Sequence, residues 1–262
     1  MGVSIEANDV RITAGDPLTA VLVHGAWHDE RCWVDLTPEL TLRQVRWHYL
    51  TLPSTNPHQG LPGLAEDVRA LNGLLDSLGR DVVLVGHGYG GMVIGESGHH
   101  SAVARLVYLA GICADFGETA AEHMVGGTPS LATLAVETSE DGLSRIKPGI
   151  GARTVYGDLS RADAEQKARL LQPSSNRALQ DAAGVPAWKT RPTTYVVCGK
   201  DRLLPANRQK KMAQRATNDI VTLRAGHAPF FSSPSEIADV VARHPTNEDQ
   251  SGQHEQHANR DA

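Results

Sequence analysis

Only three cysteines occur in 262 residues, and Cys32, Cys113 and Cys198 are odd in number and far apart. Such spacing spells neither a disulfide framework nor a zinc knuckle and reads as buried free thiols in a reducing compartment. Basic excess is missing as well. There are 25 Lys and Arg against 30 Asp and Glu, a formal charge of −5, so no nucleic-acid partner is expected, because that would need cations to neutralise phosphates. Long hydrophobic runs are also absent: the longest nearly apolar stretch, 106–114, is about half of the ~18 residues a membrane span requires. Residues 1–17 carry early acids and lack the apolar region of a secretory signal. Met1-Gly2 would suit myristoylation only with Ser or Thr at position 6, where Glu6 stands. The expectation is a cytoplasmic chain, monomer or homodimer, with no membrane partner.

What is present is the composition of a soluble globular protein, 40% apolar and 21% charged. The length suits one large domain with an inserted subdomain. Residues 245–262 contain no Leu, Ile, Val or Met and mix Gln, Asn, His and acids, which predicts a disordered polar tail. The tail holds four acids and one arginine, so the remainder is nearly neutral. His254 and His257 are three residues apart, not the four of a zinc-binding helix, and no metal site is expected there.

Short apolar runs rich in branched residues recur at 20–23, 45–50, 82–85, 106–110, 194–198 and 220–223, each bounded by Gly, Pro or Asp. Between them lie helical patterns, such as Leu64, Val68, Leu71, Leu75 and Leu78 ahead of Gly79, a candidate helix terminator. This alternation predicts an α/β fold, a mainly parallel twisted sheet with helices on both faces. The interval 115–186 shows no convincing strand and contains amphipathic stretches such as 161–171. It is expected to be a helical insertion between two halves of a core, 1–114 and 187–244.

The sharpest local signal is DVVLVGHGYGGM at 81–92, a buried strand running through a glycine cluster into a helix. Gly86, Gly88 and Gly91 satisfy a dinucleotide-binding fingerprint. The same residues also fit a nucleophile elbow, G-x-S-x-G, with Gly88 in the nucleophile's place. A dinucleotide site needs an acid at the end of the next strand, about 20 residues on. Here the strand ends near Ala110 and the first acid is Asp115. The elbow reading, in contrast, uses three further signals. VLVHGAW at 21–27 is a strand ending in a tight turn, with His24 and Gly25 placed to shape an oxyanion loop and Trp27 near a pocket mouth. VCGKDRLLP at 197–205 is a strand followed by a carboxylate, Asp201, and AGHAPFF at 225–231 places His227 in a loop after the last strand. Elbow, then acid, then histidine is the chain order of the α/β-hydrolases.

Over residues 18–244, the stretches LVHGAWHDERCW, LVGHGYGG, VVCGKDRLLP and GHAPFFSSPSEIADVV resemble the small bacterial esterase branch of the α/β-hydrolase fold, related to plant hydroxynitrile lyases and salicylate methylesterases. The resemblance implies a helical cap over the pocket and a Ser-Asp-His triad working without metal or cofactor on a small-molecule substrate. Asp201 matches the triad acid, His227 the base, and Ala26 and Tyr89 the residues whose backbone N–H groups form the oxyanion hole. Gly88 stands where the family has serine.

No acyl-enzyme can form on a residue without a side chain, and Ser97 and Ser101 lie further along the next helix. Losing the serine of such a triad removes about 10⁶ of rate, with roughly 10³ over water surviving. Three readings follow. The His227–Asp201 pair acts directly as a general base on a small, mostly apolar ester or carbonyl compound, in hydrolysis or in lyase or cyclase chemistry. Alternatively the chain is a catalytically dead hydrolase that binds a ligand or partner, or a serine esterase whose nucleophile has been changed. His87 is expected buried beneath the turn, and His99 and His100 at a helix end without function. Asp115 is an alternative acid, and Phe116, Met124, Tyr156 and Trp188 are expected in the pocket wall or the core.

Overall fold

The protein is described by a computed structural model covering residues 18–124, 134–147 and 149–243. Residues 1–17 and the polar tail at 245–262, with its His254 and His257, lie outside the described residues.

In chain order the elements begin with β1 (Thr19–Val23), α1 (Leu36–Leu42), β2 (Arg46–Leu50), α2 (Leu64–Asp76), β3 (Val82–His87), α3 (Gly90–Ser97), β4 (Val103–Leu109) and α4 (Ala120–Met124). They continue with β5 (Val136–Thr138), β6 (Leu143–Ile146), α5 (Ile150–Val155), α6 (Arg161–Ala168), β7 (Ser174–Ser175), α7 (Asn176–Gln180) and β8 (Thr193–Cys198). The last are α8 (Ala206–Ala216), β9 (Asp219–Leu223), α9 (Pro229–Ser232) and α10 (Pro234–Val241).

Six strands form one parallel sheet in the order β2-β1-β3-β4-β8-β9. The inner strands read as near-continuous apolar runs, interrupted in β4 by Arg105, because helices cover both faces. Every residue of β3 and β8 is buried, whereas the edge strands β2 and β9 keep half-exposed positions. The chain leaves β1 for β2 on one side and returns to β3 on the other, so strand order reverses between β1 and β3. At such a reversal the connections leave in opposite directions, and a crevice opens at the carboxyl ends of the two strands. The loop 24–27 and the turn at Gly88 leave those two ends.

Helix α2 buries Leu64, Leu71 and Leu75 on one face and ends at Asp76 with Ser77 as its cap, two residues before the Gly79 expected to stop it. Helix α10 packs against α1, where Arg43 Nε donates to Asp239 Oδ1 at 2.6 Å. Its final carbonyls, Val240 and Val241, accept from the buried Arg105 guanidinium on β4.

The interval between β4 and β8 differs from the expectation of a purely helical insertion. It contains α4, α5, α6 and α7, and also a small antiparallel sheet, β5-β6-β7. These strands have two to four residues each, too short to carry a period-2 pattern. Strand β7 is held by its partners: Ser174 and Ser175 pair with β6, and Ser174 bridges to Thr55 in the loop after β2. No helix among the described residues is long and apolar enough to cross a membrane.

Candidate active site

Strand β3 ends in a turn whose centre is Gly88, at φ +50°. That left-handed conformation is cheap for glycine and strained for other residues. The turn is held by Gly88 N–H donating to Leu109 O at 3.3 Å, and by Gly88 O accepting from Ile112 N at 2.8 Å and Gly91 N at 3.0 Å. Flanking glycines are demanded by close approach. A Cβ on Gly86 would lie 2.7 Å from Gly90 O, one on Gly90 2.4 Å from Val23 O, and one on Gly91 2.7 Å from Ile112 O. Gly88 itself is different. A Cβ there would meet nothing closer than His227 Nε2 at 3.4 Å and the Gly25 Cα at 3.6 Å.

His227 lies in the loop between β9 and α9, and its Nδ1 donates to Asp201 Oδ2 at 2.7 Å. Both side chains are buried. The carboxylate is fixed on both oxygens. Oδ1 accepts from the backbone N–H of Leu203 and Leu204 at 2.8 and 2.9 Å, and Oδ2 also accepts from Gln209 Nε2 at 2.8 Å. Gln209 in turn receives Cys198 N–H on its Oε1 and donates to Leu204 O. With Nδ1 committed to Asp201, Nε2 is left facing Gly88.

Tyr89 follows Gly88 in the chain, and Ala26 follows Gly25, whose Cα is 3.6 Å from where a Gly88 Cβ would stand. Neither Ala26 N–H nor Tyr89 N–H has an acceptor among the described residues. Tyr89 turns its hydroxyl away from the base and donates to Asp67 Oδ2 at 2.8 Å, while Asp67 Oδ1 receives Ser54 N–H. Burial pushes the Asp67 carboxyl up and the Tyr89 phenol well up.

His24 is fully buried, with Nε2 accepting from Leu52 N–H and Nδ1 donating to Gly25 O. Both nitrogens are engaged within the protein, so the ring braces the loop. Gly25 sits tightly under His87: a Cβ would be 2.9 Å from His87 Nδ1. Trp27 has φ +64° and is 2% exposed. Its indole N–H donates to Ser144 Oγ and its carbonyl accepts from Gln172 N–H. It therefore ties the loop to the inserted segment and does not lie open at a pocket mouth.

His87 is fully buried, donates from Nε2 to His227 O at 2.8 Å, and leaves Nδ1 without a partner among the described residues. Its ring lies 4.6 Å from that of His227 and 5.2 Å from His28. Burial pushes the His24 and His87 imidazoles down, and takes His28 down to about 3. His28 donates from Nδ1 to Ala26 O and accepts from the Tyr156 hydroxyl at 2.9 Å. Asp115 is remote in role: its carboxylate pairs with Lys189 at 2.6 Å. Phe116 is exposed, Met124 is partly buried, and Trp188 is buried with its indole on Ala114 O.

Sequence reasoning missed Gln209, His28 and Asp158, whose Oδ2 accepts from Gly226 N–H at 2.6 Å. Gln209 had a signal: it shares the buried face of α8 with Met212, Ala213 and Ala216, and an amide in an apolar stripe needs partners. The other two had none.

The arrangement is a strand-order reversal bearing a tight turn, a histidine held by a buried carboxylate, and two free N–H groups. The model of the alpha/beta hydrolase family matches residues 20–240, and the chain belongs to that family. It is 27% identical over 236 residues to the alpha/beta hydrolase nvfD of Aspergillus novofumigatus, covering 84% of this chain and 94% of that one. It is 24% identical over 251 residues to Methylesterase 1 of Arabidopsis thaliana, covering 85% and 94%. Among solved structures it is similar in fold to a pyrethroid hydrolase from Sphingobium faniae JZ-2, with a TM-score of 0.75 and 23% identity over 87% of this chain and 96% of that one.

Proposed function

We propose that the chain is a cofactor-free enzyme acting on a small, mostly apolar ester or carbonyl compound, with His227 as general base, Asp201 as its orienting acid, and no covalent intermediate. The observation that carries this reading is the 3.4 Å between His227 Nε2 and the place where a Gly88 Cβ would stand. A water there is within reach of Nε2. His227 takes its proton as the oxygen attacks the carbonyl, and Asp201 stabilises the imidazolium. Ala26 N–H and Tyr89 N–H receive the oxyanion, and the imidazolium then protonates the leaving group. With a carbonyl substrate bearing an acidic C–H, the same base forms an enolate held by the same donors. Relatives named as hydrolases and methylesterases support the ester class.

The same geometry favours a second reading, a serine-esterase site in which glycine has replaced the nucleophile, because Gly88 has room for a Cβ where its glycine neighbours have none. Wild type, Gly88→Ser and His227→Ala compared on aryl esters, and for solvent-deuterium exchange into carbonyl compounds, separate the two. The first reading expects wild-type turnover or exchange that His227→Ala abolishes, and falls if His227→Ala is unchanged. A wild type silent in both assays beside a strongly active Gly88→Ser favours the second. Saturable ligand binding without product in every form marks a binding protein instead.

A further inference from the structure

A cleft of about 440 Å³ lies between the inserted segment and the loop after β8. Arg153, Arg161 and Arg202 line it, with Glu165 as its one acid. Glu165 is already taken by Arg161, whose Nε donates to it at 2.9 Å. Arg153 and Arg202 have no carboxylate partner among the described residues. The Arg202 guanidinium lies over the backbone at Gly157, where a Cβ would stand 3.1 Å from Nη1. Asp158, the next residue, does not line the cleft, and its Oδ2 accepts from Gly226 N–H. The rest of the lining is Gly149 and Gly157 together with the side chains of Ala152, Tyr156, Leu159 and Ala164.

Arg153 and Arg202, both exposed, thus bring two guanidiniums without carboxylate partners to a cleft that also carries the side chains of Ala152, Tyr156, Leu159 and Ala164. Their complement is an anion with an apolar body, since guanidinium forks pair with carboxylates and a volume of this size accepts a small organic molecule. We propose that the cleft is a binding site for a monocarboxylate carrying an aromatic or aliphatic body, held by Arg153 and Arg202. Tyr156 forms part of its wall and donates its hydroxyl to His28 on the far side. The site is separate from the space between Gly88 and His227, and it stands whether or not the reading of His227 as a base does.

Calorimetric titration tests it with phenylacetate, with phenylacetamide as the neutral isostere, and with inorganic phosphate. Phenylacetate is expected to bind wild type and His227→Ala alike, and to lose at least roughly tenfold in affinity in Arg153→Gln/Arg202→Gln, since each charge-assisted hydrogen bond is worth about that much or more. The amide and phosphate are expected to bind at least roughly tenfold more weakly, one lacking charge and the other an apolar body. No phenylacetate binding up to roughly 10 mM, retention in the double variant, or equal binding of amide or phosphate overturns the proposal. Loss of binding in His227→Ala would move the anion to the candidate active site and overturn it as well.

Discussion

The position a Gly88 side chain would occupy faces His227 Nε2 across 3.4 Å, while the other ring nitrogen of His227 is bonded to Asp201. A hydroxymethyl group placed at Gly88 would bring its oxygen within hydrogen-bond reach of the base. Gly88→Ser is therefore expected to create a nucleophile that a fluorophosphonate probe labels, with the added mass on residue 88, while wild type stays unlabelled. The serine must adopt φ near +50°, so the variant should lose about 1–2 kcal/mol of stability. Intact-mass spectrometry and urea titration read both effects. An unlabelled but folded variant would show that the oxygen does not reach Nε2.

Asp201 is saturated by donors: His227 and Gln209 on Oδ2, and Leu203 and Leu204 on Oδ1. Asparagine cannot match this. Whichever way its amide is turned, its NH₂ faces a donor, leaving a repulsive contact and a misoriented imidazole. Asp201→Asn is expected to lower His227-dependent turnover or exchange by roughly 10⁴, the scale of the same change in a serine-protease triad. Its melting temperature should fall as well. Activity within a factor of about ten of wild type would remove Asp201 from the mechanism.

Much of this was legible in the sequence because the determinants are local. The run Val82–Val85 is apolar at every position, so a strand buried on both faces is its only stable use, and the glycines that follow announce a crowded turn. Asp201 and His227, which the structure brings to hydrogen-bond distance, each lie in a loop just after a strand end, a position readable from the sequence. What stayed hidden depends on distant partners. Ser174 and Ser175 are polar and become a strand only through pairing with Leu143 and Ser144. His28 sits 128 residues from the Tyr156 hydroxyl that it accepts from, and Trp27 is 117 residues from Ser144. No spacing rule connects such pairs.

Acid should destabilise the fold before its carboxylates titrate. Burial holds His28 at about 3 against 6.5 in the unfolded chain, and pushes His24 and His87 the same way. Below pH 6.5 the unfolded chain takes up protons that the folded one refuses. Stability from His28 is thus full above pH 6.5 and is lost as pH falls toward about 3, by about 1.4 kcal/mol per pH unit, and His24 and His87 act in the same direction. Glutamine can keep the donor to Ala26 O and the acceptor for Tyr156. His28→Gln is therefore expected to lose about 1 kcal/mol less than wild type between pH 7.5 and 5.5 in urea titrations. Equal losses would refute the assignment of a depressed pKa to His28.

The loop carrying His227 is also held from the inserted segment, because Asp158 Oδ2 accepts from Gly226 N–H at 2.6 Å while its buried Oδ1 has no partner among the described residues. A Cβ on Gly226 would lie 2.3 Å from that Oδ1, so Gly226→Ala must displace the carboxylate and should cost about 1–3 kcal/mol. Removing the carboxylate removes the clash. The double variant Gly226→Ala/Asp158→Ala is therefore expected to be less destabilised than the sum of the two single changes, by at least about 0.5 kcal/mol. Asparagine at 158 can still accept from Gly226 N–H, so His227-dependent turnover should survive in Asp158→Asn and fall roughly tenfold in Asp158→Ala. Additive stabilities would mean that residues 158 and 226 do not meet, and equal turnover in the two Asp158 variants would mean that the contact does not position the base.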